Sequence, residues 1–177
     1  MNTTVLLTGP AGAGKSTVAA LWASRGNSQR AFIDVDSLRL LIRAGVALPE
    51  HGWTQETQRQ WNIGTDLCVA MAQIYEKHDV DCIIDVYAPP TSTPVEGFTD
   101  ITAELDLRRI ILFPSLAVCL ERNRRRSRRP LVSDEDMRGN YEDFEWCLRQ
   151  TAPDHVIDNS NLTLEETVDA IEAELHS

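Results

Sequence analysis

Two kinds of apolar pattern alternate along the chain. Five short runs are apolar almost without interruption: Val5-Leu6-Leu7-Thr8, Ala31-Phe32-Ile33-Asp34-Val35, Cys82-Ile83-Ile84-Asp85-Val86, Arg109-Ile110-Ile111-Leu112-Phe113 and His155-Val156-Ile157-Asp158. Runs of this length that do not alternate with polar residues are strands buried on both faces. Helical stretches separate them. One follows Thr17 with Val18, Leu21 and Trp22, and a second is expected from about residue 36 to 44. A third is capped by Thr54, has Glu56 in its first turn, carries Trp61, Leu67, Cys68, Met71, Ile74 and Tyr75, and reaches about Lys77. A short helix is expected near 95–104, after a stiff connection with Pro89, Pro90 and Pro94, and another from about 116 to 126. Ser133 caps the next, with Asp136 in the capping-box position and Met137, Tyr141, Phe144 and Leu148 on one face. The last starts at Thr163, boxed by Glu166, and buries Leu164, Val168, Ile171 and Leu175. This order predicts a single α/β domain over residues 1–177: a mainly parallel five-stranded sheet with helices on both faces. In such sheets ligands sit at the carboxyl ends of the strands.

Composition leaves that picture intact. Apolar content of 42% and charged content of 25% suit a soluble globular domain, with no apolar run long enough to span a membrane. A strand begins within the first few residues and leaves no room for a signal peptide, so a cytoplasmic location is expected. Cys68, Cys82, Cys119 and Cys147 are widely spaced, form no C-x-x-C pair, and read as buried free thiols. Charge changes the picture. A net −10 argues against nucleic acid as a partner. Yet Arg122, Arg124, Arg125, Arg126, Arg128 and Arg129 gather in eight positions, so residues 121–130 carry +5 and leave −15 elsewhere. A basic island in an acidic chain points to a local anion.

The chemistry begins at Gly9-Pro10-Ala11-Gly12-Ala13-Gly14-Lys15-Ser16, followed by Thr17, which fits G-x-x-x-x-G-K-[ST] between a strand and a helix. Backbone N–H groups of such a loop turn inward around phosphate oxygens, and the helix start adds its positive dipole end. Lys15, one of only two lysines in the chain, is placed to reach β- and γ-phosphates, and Ser16 to hold Mg²⁺.

The other polar candidates fall at strand ends: Asp34 and Asp36 after the second strand, Asp85 at the end of the third, Asn159, Ser160 and Asn161 after the fifth. Carboxylates there hold Mg²⁺ through water, or take a proton from an acceptor hydroxyl. Asp34 and Asp85 are the metal candidates; Asp34 can alternatively bond to the phosphate loop, and Asp85 can be a strand-end turn residue. Asp36 and Arg39, three apart, share a face, one to orient a hydroxyl and the other to hold an anion. The alternatives are an ordinary N-cap for Asp36 and a solvated side chain for Arg39. The arginine island, with Arg126 and Arg129, is either a solvated face or a lid over about 124–134 that closes on the γ-phosphate. Trp22 and Trp146 are expected in the core. Trp53 and Trp61 either line an acceptor pocket together with Asp36, Arg39, Asp85 and Tyr87, or pack internally.

Four of these motifs resemble those of the small P-loop kinases, the group of shikimate and gluconate kinases, chloramphenicol phosphotransferase and polynucleotide kinase. They are the Gly9–Thr17 loop; Asp36-Ser37-Leu38-Arg39, similar to the polynucleotide-kinase D-x-x-R; Arg122 with Arg129-Pro130-Leu131, similar to the shikimate-kinase lid; and Val156-Ile157-Asp158-Asn159-Ser160. The resemblance implies strand order 2-3-1-4-5, Asp36 as base with Arg39 assisting, Arg122 stacked on adenine, Arg129 on the phosphates, and Asn159 and Asn161 near the base. Shikimate kinases carry a glycine triplet after the third strand where this chain has Asp85-Val86-Tyr87-Ala88-Pro89-Pro90, which argues against shikimate as substrate. What is implied is an ATP- and Mg²⁺-dependent kinase acting on a hydroxyl of a small molecule, such as an antibiotic or a sugar-like metabolite. The alternatives are a nucleotide-hydrolysing switch without an acceptor, and a nucleoside or nucleotide kinase.

Overall fold

A computed structural model describes residues 2–90, 100–125, 132–151 and 155–176. Five strands, β1 (Thr4–Thr8), β2 (Arg30–Asp34), β3 (Asp81–Asp85), β4 (Arg108–Leu112) and β5 (Val156–Ile157), form one sheet in the order β2-β3-β1-β4-β5, every pair parallel. Among the described residues seven α-helices connect and cover them: α1 (Lys15–Ser24), α2 (Val35–Arg39), α3 (Gln55–Lys77), α4 (Ile101–Glu104), α5 (Leu116–Arg124), α6 (Asp134–Thr151) and α7 (Leu164–Leu175).

The sheet is buried from both sides because alternate residues of one strand serve different helices. Val5, Leu7, Ile83, Ile110 and Leu112 pack with Val18 and Trp22 of α1 and Val168 and Ile171 of α7. Leu6, Ile33, Cys82 and Ile84 pack on the opposite face with Cys68, Val69 and Ala72 of α3. Every residue of the central strand β1 is buried, which explains its uninterrupted apolar run. A third, smaller cluster joins Cys119 and Leu120 of α5 to Met137 of α6, with Ala11 of the phosphate-loop motif against it.

The helix starts are chemically specified. Thr54 and Thr57 make a reciprocal capping box at α3, and Thr163 and Glu166 make another at α7. The Ser133 hydroxyl accepts the Asp136 N–H (3.0 Å) at the start of α6.

Two expectations need correction. The helix expected over 36–44 ends after five residues, at Arg39. The next two bonds, Leu41 N–H to Leu38 and Ile42 N–H to Arg39, close tighter i→i+3 turns, and Leu40 and Leu41 have no core to cover. Trp146 is 64% exposed rather than in the core. It lies two residues beyond the buried Phe144, on the far side of α6 from the Met137–Phe144 face. The connection through Thr91–Pro94 and residues 95–99 of the helix expected near 95–104 lie outside the described residues; of the remainder, Ile101–Glu104 is helical.

Candidate active site

Strand register brings the predicted residues to one edge. Asp34 and Asp85 are paired neighbours at the carboxyl ends of β2 and β3, and Asp85 is the partner of Leu7 on β1, just before the Gly9–Thr17 loop. Order β2-β3-β1 therefore sets Asp34, Asp85 and the loop side by side, although 51 residues separate the two carboxylates in sequence.

The loop is shaped by its packing and by its own hydrogen bonds. Gly12 has φ +81, and a Cβ there would lie 2.5 Å from the Cys119 carbonyl oxygen, so the loop rests directly on α5. Gly14, at φ 96, caps α1. The Lys15 ammonium donates to the carbonyls of Gly9 (2.9 Å) and Pro10 (3.2 Å). The Ser16 hydroxyl donates to Asp85 Oδ2 at 2.5 Å. Asp85 is 6% exposed. Burial pushes its carboxyl above the usual carboxylate range, opposed by the nearby Lys15 charge and the Ser16 hydrogen bond, and reinforced by Asp34 and Asp36.

This arrangement separates the two metal candidates. Asp34 is the N-cap of α2: Oδ1 accepts the Asp36 N–H (3.1 Å) and Oδ2 the Ser37 hydroxyl (2.6 Å). Asp85, on the hydroxyl of Ser16, is placed where a carboxylate could hold Mg²⁺. Its charge is destabilised by burial in the absence of a cation, which is the condition a cation relieves. Among the described residues no three His, Cys, Asp or Glu side chains converge on one point. A magnesium at this place would be held by Ser16 and Asp85 with water and phosphate oxygens.

Asp36 is not the cap; that role belongs to Asp34. Arg39, moreover, is not solvated. It is 5% exposed. Its Nη1 donates to Asp36 Oδ1 (3.0 Å), and its guanidinium lies 4.6 Å from the Trp61 ring centroid. Trp61 in turn meets Trp53 at 5.7 Å between ring centroids. Asp36, Arg39, Trp61 and Trp53 therefore form one continuous row from the sheet edge outward. Trp53 is 50% exposed and so is not internal packing. Tyr87 follows β3, packs edge-on to Phe144 at 6.0 Å, and has its phenol pushed up to about 12 by burial.

Arg122 extends from α5 to the loop. Its Nη1 donates to the Ala13 carbonyl (3.0 Å) and its Nη2 to the Asn159 carbonyl (2.9 Å). Asn159 is buried and donates its side-chain amide to the same Ala13 oxygen (3.1 Å), whereas Asn161 is exposed. Arg126 and Arg129, with most of the expected lid, lie outside the described residues.

Four supporting residues were not evident in the sequence. The Thr8 hydroxyl bonds both to the carbonyl and to the N–H of Ala88 (3.0 Å each), clasping the segment after β3 to β1. Buried Gln60 ties α3 to the preceding loop through Gly45 O and Ala47 N. Asn123 donates to the Val132 carbonyl (2.8 Å) and so fixes the start of α6 against α5. Gly64, within α3, lets Arg39 cross: a Cβ there would lie 2.5 Å from Arg39 Cγ. Of these, only Gly64 left a trace, a lone glycine inside a helical pattern.

No family model matches the chain, and no curated protein does. Solved structures do. The tunicamycin resistance protein of Deinococcus radiodurans is similar over 99% of this chain and 96% of its own, with TM-score 0.68 and 20% identity. A shikimate kinase from Acinetobacter baumannii, solved with shikimate, is similar over 99% and 94%, with TM-score 0.67 and 16% identity. A sugar kinase from Janibacter sp. HTCC2649 is similar over 99% and 95%, with TM-score 0.64 and 17% identity. At these identities the likeness is one of architecture: the chain has the P-loop kinase fold, with strand order 2-3-1-4-5 as expected.

Proposed function

We propose that this protein is an ATP-dependent kinase that transfers the γ-phosphoryl group to a hydroxyl of a small molecule. The observation that carries the reading is Asp36, held by a buried arginine at the sheet edge that also carries the phosphate loop. A nucleotide switch has no need of an oriented carboxylate with a ring-lined row beside it.

In this reading the amides of residues 9–17 cradle the phosphates, and Lys15 exchanges its carbonyl partners for β- and γ-phosphate oxygens. Ser16 and Asp85 would hold Mg²⁺, which when bound neutralises phosphate charge. Asp36 orients the acceptor hydroxyl and takes its proton. The hydroxyl oxygen bonds to the γ-phosphorus, the bond to the bridging β,γ-oxygen breaks, and ADP and a phosphomonoester leave. Arg39 holds Asp36 in place, and Arg122 keeps α5, the loop and the β5–α7 connection together where the base would lie. Arg126 and Arg129 would supply lid cations.

The test is a panel of hydroxyl compounds incubated with ATP and Mg²⁺, using wild type, Lys15→Ala and Asp36→Asn. Expected are a phosphorylated acceptor with wild type, loss of transfer in Lys15→Ala, and a fall of about 10²–10⁴-fold in Asp36→Asn with nucleotide binding retained. If no compound is phosphorylated and ATP hydrolysis is undiminished in Asp36→Asn, the switch reading replaces this one.

A further inference from the structure

Two side chains far away in sequence hold the phosphate loop at one carbonyl. Ala13 O accepts from Arg122 Nη1 (3.0 Å) and from Asn159 Nδ2 (3.1 Å). Arg122 Nη2 donates to the backbone carbonyl of Asn159 itself (2.9 Å), which closes a ring of hydrogen bonds among α5, the loop and the residues after β5. The next loop residue lies against both donors: a Cβ on Gly14 would be 3.6 Å from Arg122 Nη1 and 3.9 Å from Asn159 Nδ2.

The Asn159 amide is fixed in orientation. A carbonyl only accepts, so the amide must turn its NH₂ end to Ala13. Its other end, Oδ1, is buried and has no hydrogen-bond partner among the described residues. Asn159 is 2% exposed. A buried acceptor left unmet costs stability, so half of this side chain works against the fold. A leucine would fill a similar volume without that cost, and packing alone therefore gives no reason for an amide here.

Peptide geometry gives one. In a trans peptide the C=O of one residue and the N–H of the next point in opposite directions. Donors that fix the Ala13 carbonyl toward α5 and β5 thereby turn the Gly14 N–H away from them. Gly14 is the N-cap of α1, and the first i→i−4 bond of the helix is Val18 N–H to Gly14 (3.0 Å). The N–H groups of Gly14, Lys15, Ser16 and Thr17 are thus the four that the helix leaves without an intrahelical acceptor. Such a run of donors at a helix start is where phosphate oxygens bind. The direction of its first member is set by the peptide that Arg122 and Asn159 grip.

We propose that Asn159 is a positioning residue for phosphate rather than a contact for the base: with Arg122 it holds the Ala13–Gly14 peptide so that the Gly14 N–H is aimed at a phosphate oxygen of a bound nucleoside triphosphate. The proposal rests on the nucleotide half of the kinase reading and involves no acceptor.

The experiment compares wild type with Asn159→Ala and Asn159→Leu in the full chain. Calorimetric titration with ATP, GTP and CTP, each with Mg²⁺, gives affinities, and thermal melts of the unliganded proteins give stability. Both variants are expected to weaken every triphosphate that wild type binds by one common factor, about tenfold, the effect of one lost hydrogen bond. Asn159→Leu is expected to melt no lower than wild type, and it decides the matter if Asn159→Ala does not fold. In ¹⁵N-glycine-labelled protein the Gly14 amide proton should move downfield when wild type is saturated with triphosphate, and much less in the saturated variants. Unchanged affinity in Asn159→Leu overturns the proposal. So does a loss confined to one base, because Asn159 would then touch the base. A Gly14 proton that moves alike in all the proteins overturns it, as does an Asn159→Leu protein that melts well below wild type, since the amide would then be serving the fold. Failure of wild type to bind any triphosphate overturns it together with the nucleotide half of the kinase reading. The expected pattern without phosphorylation of any acceptor supports the proposal and counts against the kinase reading alone.

Discussion

Asp85 shows what a single residue can reveal about function. A buried carboxylate whose proton affinity is raised by burial costs the folded chain stability once it ionises. The sign follows from linkage: between its unfolded value and its raised folded value the native state holds the extra proton. Its contribution is therefore favourable at low pH and is lost as pH rises through the folded value. Asp85→Asn removes the ionisation while keeping an oxygen for the Ser16 hydroxyl. The variant is expected to melt higher than wild type at pH 8 without ligand, by about 2–4 °C, the shift that roughly 1 kcal/mol produces in a chain of this size. The advantage should shrink at acid pH, and the stabilisation by ATP with Mg²⁺ should disappear. Thermal melts at the two pH values, with and without Mg·ATP, decide it; a lower melting temperature at pH 8 refutes the account. Such a trade of stability for function is common where a charge is kept dry for a ligand.

At the scale of elements, the junction of α2 and α3 holds Asp36 and Arg39 together. Glycine inside an α-helix is normally about 1 kcal/mol less favourable than alanine. Gly64→Ala should therefore stabilise α3 if propensity decided the matter. The Arg39 Cγ within 2.5 Å of a Cβ at that position decides otherwise, because the stem of Arg39 is pinned between Trp61 and Asp36 and cannot swing clear. Gly64→Ala is expected to destabilise the fold by about 1–3 kcal/mol, the usual range for overpacking. It should also lower phosphoryl transfer more than it lowers nucleotide affinity, since the P-loop lies elsewhere. Denaturant unfolding with separate nucleotide titration measures both parts. A variant more stable than wild type with transfer intact would show that Arg39 is not held this way. Part of this was legible beforehand: the D-x-x-R spacing put Asp36 and Arg39 on one face. Which one capped the helix was not, because a cap is settled by backbone direction at the end of β2. That direction gave the role to Asp34.

At the scale of the whole molecule, the double burial of the sheet governs thiol chemistry. All four cysteines are free and buried, and burial pushes the Cys68 thiol up to about 12 and raises Cys82 and Cys147. A thiol so shifted presents almost no thiolate at neutral pH. With a disulfide-forming reagent at pH 7.5, none of the four is expected to react within minutes in the native protein and all four in denaturant. Prompt labelling of Cys68 would mean that α3 does not stay packed on the sheet. Among the described residues no helix is long and apolar enough to cross a membrane.

The sequence by itself determined the order of elements, the parallel sheet, the phosphate loop and the helix starts that caps announce. These depend on neighbours within a few positions, and local sterics and hydrogen bonding decide them. It also placed Met137 and Phe144 on the core face of α6, but not the exposed Trp146, whose size alone suggests core and whose position two residues on from Phe144 turns it away. What only the tertiary structure decided were the relations between distant segments. Parallel pairing of β2 with β3, and of β3 with β1, set Asp85 on Ser16 rather than Asp34. The crossing of α2 over α3 buried Arg39 against Trp61 and left Trp53 exposed. Both follow from which apolar faces meet, and no single stretch of chain contains that information, because burial is a property of the pair of surfaces and not of either one.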